Sequence, residues 1–149
     1  MTQRHATAAE TDADTPDETA AKQRDGLFIR IFFGDGRFLG PGKIELLEAI
    51  RSERSILSAA RKMGMSYRRA WLLVDELDTM FAQAVVVTHP GRRGAGTDLT
   101  AFGERLIALY REVEARSTAA SDEAIATLRA ALAPEWPTVR PAPTENPPR

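Results

Sequence analysis

Hydrophobic and polar residues follow two different periods along the chain, first that of a strand and then that of helices. In residues 27–33 the apolar Leu27, Ile29, Ile31 and Phe33 alternate with Phe28, Arg30 and Phe32, and Gly34, Asp35 and Gly36 follow them. Alternation that ends in a glycine-rich turn is typical of a β-hairpin. The pattern therefore predicts a small hairpin at the beginning of the folded region.

Two helices are predicted directly after this hairpin. The first is indicated by Ile44, Leu47 and Ile50, which recur at helical spacing after a Gly-Pro-Gly break. The second is short, because Ser55 is a favourable N-cap before it and Gly64 is the residue type favoured after a helix C-terminus.

A third helix is predicted to begin after Ser66, which is well placed as its N-cap. Arg68 and Arg69 fall on the outer side of this helix near its N-terminus, so we expect them to point outward with packed aromatic residues behind them. The apolar arc of the helix is expected to be buried and comprises Tyr67, Ala70, Trp71, Val74, Leu77 and Phe81.

The second and third helices are joined by a short turn, which is the arrangement of a helix-turn-helix. A β-branched strand from Val85 to Thr88 then leads into a glycine-rich loop with Arg92 and Arg93, and a return strand ends near Leu99. Such a basic-tipped hairpin is a wing. We therefore predict a fold that is mainly α with small β-hairpins, namely a winged helix-turn-helix followed by a long C-terminal helical tract.

The C-terminal tract covers residues 101–133, with Thr100 as its N-cap and an intermittent apolar stripe. It is longer than one small core requires, which favours a second copy of the chain as a partner. Packing against its own domain and a break between Ser117 and Ser121 are the alternatives. The residues predicted to form a dimer interface are Leu106, Leu109, Tyr110 and Val113.

The two ends of the chain differ in composition from residues 26–100, which hold the predicted winged helix-turn-helix. Residues 1–25 are acidic and lack an apolar period, and residues 134–149 are rich in proline, so we predict a disordered arm and a disordered tail. No apolar run approaches the ~20 residues of a membrane helix, and the sequence contains no cysteine. We expect a cytoplasmic protein without a membrane contact.

Positive charge is concentrated around the third predicted helix, although the whole chain has a net charge of −1. Residues 51–70 contain six Lys or Arg side chains and one carboxylate, and such a patch attracts phosphate groups. A solvated helix face is the alternative. Because Asp75 and Glu76 would repel phosphates, only the first two turns of the helix are expected to enter a groove. The residues predicted to contact DNA are Lys62, Ser66, Tyr67, Arg68 and Arg69 in the helices and Arg92 and Arg93 in the wing.

The run "GPGKIELLEAIRSERSILSAARKMGMSYRRAW" and the wing closed by "LTAFGERL" closely resemble the N-terminal DNA-binding domain of the ModE family of molybdate-responsive regulators. More loosely, they resemble the winged helix of LysR-type regulators. The resemblance extends from residue 27 to about residue 116. It implies that the recognition helix begins with Ser66, Tyr67, Arg68 and Arg69, and that the wing holds Arg92 and Arg93.

One departure from the family concerns the effector. In full-length members the oxyanion is bound by further C-terminal β-barrel domains, and the Pro-rich tail of this chain cannot form them. We therefore expect no molybdate binding by this chain, and we predict no cofactor and no metal site.

These features predict a sequence-specific, ModE-like DNA-binding transcriptional regulator that lacks the molybdate-binding domains and binds double-stranded DNA as a homodimer. The alternative is a winged-helix module that docks an acidic protein partner, but two separate cationic elements favour DNA. An enzyme with catalytic residues is not expected. The only histidines are His5 and His89, and no HExxH, P-loop, nucleophile elbow or paired-carboxylate pattern is present.

Overall fold

Helices and two short antiparallel hairpins form the part of the chain that is described, residues 24–91 and 96–136 of a computed structural model. In chain order the elements are β1 (Ile31–Phe32), β2 (Phe38–Leu39), α1 (Pro41–Glu53), α2 (Ile56–Met63), α3 (Tyr67–Met80), β3 (Val86–His89), β4 (Gly96–Leu99) and α4 (Ala101–Ala130). The predicted winged helix-turn-helix with a long C-terminal helix is confirmed. The predicted disordered arm and tail lie almost entirely outside the described residues.

Local hydrogen bonds at the helix ends agree with the sequence. Ser55, Ser66 and Thr100 each accept a hydrogen bond from the backbone N–H three residues later, at 3.1, 3.2 and 3.0 Å. Each bond satisfies one of the amides that a helix N-terminus leaves without an intrahelical acceptor. Gly64 ends α2 in the left-handed conformation, with a φ of 70°, which a glycine adopts without strain. The short turn between α2 and α3 therefore follows from a capped start and a glycine stop.

Two clusters of buried side chains share helix α1. The first cluster joins α1 to α3 and α4 and contains Leu39, Ile44, Leu47, Leu77, Val85, Leu106, Ile107 and Tyr110. The second joins α1 to α2 and α3 and contains Leu46, Ala49, Ile50, Ala59, Ala60, Ala70, Leu73 and Val74. The alanines on α2 and α3 let these helices approach closely. Helix α1 is therefore the central element against which the helix-turn-helix and α4 are both positioned.

Helix α3 buries a different side from the one predicted. Tyr67 and Trp71 are 50% and 47% exposed, so the prediction that they are buried is wrong, and Phe81 is only half-buried. Successive helical residues are separated by about 100°, which places Tyr67 and Trp71 just beyond the arc that faces α1 and α2. Helical spacing alone does not show where that arc ends. The residues of α3 that are buried are Ala70, Leu73, Val74, Leu77 and Met80.

The wing, formed by β3 and β4, is fastened to the end of α1 at Arg54. Arg54 has a left-handed backbone with a φ of 55°, and its carbonyl oxygen accepts a hydrogen bond from the Thr97 amide at 2.9 Å. A Cβ on Gly96 would lie 2.5 Å from the same carbonyl oxygen, so only glycine fits there. The guanidinium Nε of Arg54 also donates to Asp98 at 2.9 Å. Backbone and side-chain bonds to one residue thus fix the base of the wing.

Helix α4 is continuous from Ala101 to Ala130, so the break considered between Ser117 and Ser121 does not occur. Its first turns pack into the domain, and the Tyr110 hydroxyl donates to the Ile29 carbonyl at 2.6 Å. From residue 111 to residue 130 the helix has no fully buried residue. Within the described residues, none of the helices has both the length and the apolar composition needed to span a bilayer.

The predicted dimer interface needs a correction on this helix. Leu106 and Tyr110 are 5% and 1% exposed and belong to the domain's own core. A partner chain therefore has no access to them without repacking of that core. Leu109 and Val113 point outward, with exposures of 42% and 38%. The predicted apolar stripe therefore lies on two faces of α4. One face packs against α1, and the other is exposed.

Candidate nucleic-acid interface

The exposed half of α3 presents an unusual mixture of side chains. Tyr67, Arg68, Trp71 and Leu72 are all exposed and lie on the first two turns, opposite the buried half of the helix. An outward tryptophan beside an outward arginine is not what a merely solvated helix face requires, because water solvates a large apolar ring poorly. This half of α3 therefore has the character of a binding surface.

The N-terminus of α3 adds a positive end to this surface. The first turn contains no acidic residue, and the unpaired amides of a helix N-terminus already favour anions. Arg68 is exposed and has no ion pair within the described part of the chain, and Arg69 is exposed beside it. Ser66 is exposed too, with its oxygen engaged as the N-cap. The structure thus brings together four of the predicted contact residues, Ser66, Tyr67, Arg68 and Arg69.

The local excess of positive charge is smaller than the sequence suggests, because at least three of the six cations in residues 51–70 pair with carboxylates of the described chain. Arg51 lies 2.9 Å from Glu104, and Arg54 pairs with Asp98. Lys62 Nζ lies 3.5 Å from Glu53 and 3.3 Å from the Ser52 hydroxyl. Lys62, a predicted contact residue, is therefore tied to the end of α1. The positive end of the surface is concentrated on the first turn of α3.

Lys43 is a residue whose importance the sequence analysis missed. It is fully buried on α1, and its ammonium group donates to the Phe38 carbonyl at 3.0 Å and to Glu76 Oε1 at 3.1 Å. The same nitrogen lies 3.5 Å from the centroid of the Phe38 ring. Lys43 lies at helical spacing from Leu47 and Ile50, on the apolar side of α1. This spacing could have indicated from the sequence that Lys43 is buried.

The Lys43 contacts position α3 as well as neutralising part of its charge. Glu76 was expected to repel phosphates, but its carboxylate is turned toward Lys43. One ammonium group therefore links β2, α1 and α3 across the domain. Asp75 remains exposed on the outer half of α3. It lies two turns from the helix N-terminus. The part of α3 that can bind an anion therefore ends at the carboxylate of Asp75.

The base of the wing contains a second set of charged groups. Both carboxylate oxygens of Asp98 accept hydrogen bonds from Arg54, and the His89 ring nitrogen Nε2 lies 3.3 Å from one of them, Oδ2. The hydrogen bond from Arg54 holds the pKa of Asp98 below its ordinary value of 3.8. Arg92 and Arg93, predicted to contact DNA from the wing tip, lie outside the described residues.

The chain is similar in sequence to several known proteins. No family model matches the chain. ModE of Azotobacter vinelandii, a molybdenum transport protein, is 40% identical over 88 residues, which is 58% of this chain and 33% of that protein. The molybdenum-pterin-binding protein MopB of Rhodobacter capsulatus is 42% identical over 81 residues, 54% of this chain and 30% of MopB. The DNA-binding transcriptional dual regulator ModE of Escherichia coli K12 is 36% identical over 74 residues, 49% of this chain and 28% of that regulator.

The predicted resemblance to ModE is confirmed over these residues. The chain spans about a third of the length of the ModE and MopB proteins that it matches. A solved structure, that of a CbnR_DBD–DNA complex, covers 59% of this chain and 97% of its own, with a TM-score of 0.46 and 17% identity. Within the residues described, the chain has no group of three or more His, Asp or Glu side chains arranged to hold a metal ion.

Proposed function

We propose that this chain is a sequence-specific DNA-binding transcriptional regulator that inserts the N-terminal half of α3 into the major groove of duplex DNA. The observation that carries the proposal is the outward half of α3, where Arg68 leads a helix whose opposite side is fixed in the core. Side chains at the start of a recognition helix are the ones that reach base edges. The wing then lies along the sugar-phosphate backbone, where Arg92 and Arg93 contact phosphates.

The named relatives support this function. The Escherichia coli ModE is described as a DNA-binding transcriptional dual regulator, and the likeness to it covers about half of this chain. A binding role fits the surface better than catalysis does, because Arg68, Trp71 and Leu72 lie on an open helix face. Since the relatives that the chain matches are bacterial proteins, we infer that it acts on DNA in the cytoplasm.

We further propose that the chain binds DNA as a homodimer. From residue 111 onward α4 continues for about five turns without a fully buried residue, so this part of the helix has unused surface. Leu109 and Val113 are exposed one turn apart at the beginning of this part of α4 and supply apolar contacts. Two copies related by two-fold symmetry would present two α3 helices to successive major grooves, with half-site centres ~34 Å apart or a multiple of that.

The test of DNA binding is a selection from a pool of random duplexes with the full chain, followed by affinity measurements at fixed salt. A preferred duplex with an inverted repeat is expected. Arg68→Ala should weaken binding to that duplex while the circular dichroism spectrum stays unchanged. A chain that enriches no duplex would contradict the proposal and leave the same surface to an acidic protein partner.

Dimerisation is tested separately by light scattering. The parent chain should be a dimer at micromolar concentration, and charged replacements such as Leu109→Glu with Val113→Glu should give a folded monomer with weaker operator binding. Ala119→Glu, also exposed on α4, is the control for an added charge. A parent chain that is monomeric both free and on DNA would remove the dimer from the proposal without affecting the role of α3.

A further inference from the structure

The contacts proposed so far use charged groups and leave the apolar side chains on the outer half of α3 without a role. Tyr67, Trp71 and Leu72 are each about half exposed. Tyr67 and Trp71 are four residues apart and therefore neighbours on the helix surface, as are Arg68 and Leu72. The four side chains form one continuous surface, which we call the outer patch of α3. A partner large enough to lie along α3 at Arg68 therefore also meets Trp71.

The major groove of DNA offers one kind of apolar group. Its base edges carry hydrogen-bond donors and acceptors, together with the C5-methyl group of thymine, and apolar side chains contact that methyl. A duplex thus supplies phosphates and base acceptors for Arg68 and methyl groups for the aromatic ring within one groove. The outer patch of α3 has matching chemistry, an arginine beside an indole.

We propose that Trp71, flanked by Tyr67 and Leu72, contacts thymine methyl groups in the major groove and so determines part of the sequence preference. This inference rests on the proposed function, because it needs α3 in the groove. Trp71 stands in the second turn of α3, between Arg68 near the N-terminus and Asp75 one turn further on. The thymines it contacts therefore lie next to the base pair that Arg68 contacts.

The part of α3 that carries Trp71 is held firmly enough for Trp71 to distinguish thymine from a base without the methyl group. The helix residues around it, Ala70, Leu73 and Val74, are all buried in the core. The ammonium group of Lys43 also holds Glu76 in the following turn. A helix that cannot roll brings the Trp71 backbone to the same depth of the groove in every complex, which favours the reading of a single methyl group.

The experiment compares thymine with deoxyuridine in the duplex selected by the full chain. Uracil pairs like thymine and lacks only the methyl group, so single replacements probe one methyl at a time. The parent should bind about three- to fivefold less tightly for each contacted methyl that is lost, as expected for one methyl-sized apolar contact. Trp71→Ala should bind more weakly and no longer distinguish the two bases at those positions. Trp71→Phe, which keeps an apolar ring, should retain part of the discrimination.

Two controls separate this inference from the proposed function. Trp136, the other of the two tryptophans, is 78% exposed beyond α4, and Trp136→Ala should behave like the parent. Arg68→Ala should lose affinity and keep the discrimination between thymine and uracil. The discrimination is a ratio measured within one variant, so a smaller folded fraction of Trp71→Ala does not alter it.

The outcomes are distinct. Undiminished discrimination in Trp71→Ala, or a parent that is insensitive to every thymine replacement, overturns the role of Trp71. If Arg68→Ala still weakens binding in that case, the proposed function stands. If the chain prefers no duplex at all, the function and this inference are both wrong.

Discussion

Helix α3 and the wing belong to one domain but are held in place by different interactions. Five residues of α3 are buried in the apolar core, so the helix cannot shift without repacking its neighbours. Strand β3 of the wing has no fully buried residue, and the base of the wing depends on hydrogen bonds to Arg54. For the proposed function, a helix fixed in the core suits the reading of base edges, and a hairpin held by hydrogen bonds at its base suits contacts to the backbone.

The largest effect is expected on the core side of α3. Leu77 is fully buried, and Leu77→Ala should lower the free energy of unfolding by ~2–5 kcal/mol, because burial is lost and a cavity remains. Leu72→Ala is the matched control, since Leu72 lies on the same helix and is 48% exposed. Denaturant unfolding measures both variants. Equal losses of stability would show that α3 is not fixed by one side.

The next effect concerns binding through the outer side of α3. Arg68→Ala should cost ~1–3 kcal/mol of binding to the preferred duplex if the guanidinium makes a bidentate contact to a base. The preference at that base pair should relax, and the melting temperature should not change. Arg116→Ala removes an exposed arginine that pairs with Glu112 within α4 and serves as the control. Unchanged affinity and preference in Arg68→Ala would show that α3 does not read the groove.

A smaller and different effect is expected at the wing tip. Arg92→Ala and Arg93→Ala should each reduce the slope of log affinity against log salt by about 1 per lost phosphate contact. The sequence preference should hardly change, in contrast to Arg68→Ala. Titrations at several salt concentrations on specific and random duplexes measure both quantities. If base preference changes while the slope stays constant, the wing reads bases and the contrast with α3 disappears.

The smallest effect is a pH response at the base of the wing. The Arg54 hydrogen bond lowers the pKa of Asp98, so the bond is fully present above the ordinary pKa and is lost as the pH falls through the lowered one. The amide signals of β4 should therefore move in NMR spectra only below about pH 4. Asp98→Asn should abolish this change of the β4 amide signals at low pH. Asp122→Asn, at an exposed position of α4, should leave the change as it is in the parent. A pH response of the β4 amides that persists in Asp98→Asn would contradict this assignment.

Much of the fold could be predicted because its signals are local. The N-caps Ser55, Ser66 and Thr100 bond to amides only three residues away. Gly64 ends α2 through its own backbone conformation. Interactions of such short range hardly depend on the rest of the molecule. The same holds for Arg68, whose place on the outer side of α3 follows from helical spacing alone.

Other parts of the candidate site could not be predicted because they depend on residues that are distant in the sequence. Lys43 meets Glu76 across 33 positions, and Arg54 meets Asp98 across 44. The Arg54 pairing neutralises one cation of a patch that looked more basic in the sequence, and the Lys43 pairing neutralises Glu76 on α3. Lys62 is a weaker candidate contact than Arg68 because it pairs with Glu53.

The sequence by itself determined the order of helices and strands, their ends and the cationic start of α3, because each of these depends on neighbours along the chain. Only the tertiary structure decided which apolar residues are covered. Tyr110 is buried because α1 and the Ile29 segment pack over it, and Trp71 is exposed because no element of the described domain covers the outer half of α3. The physical reason is that burial is a property of the assembled surfaces, and a helical period gives a direction without saying what lies there.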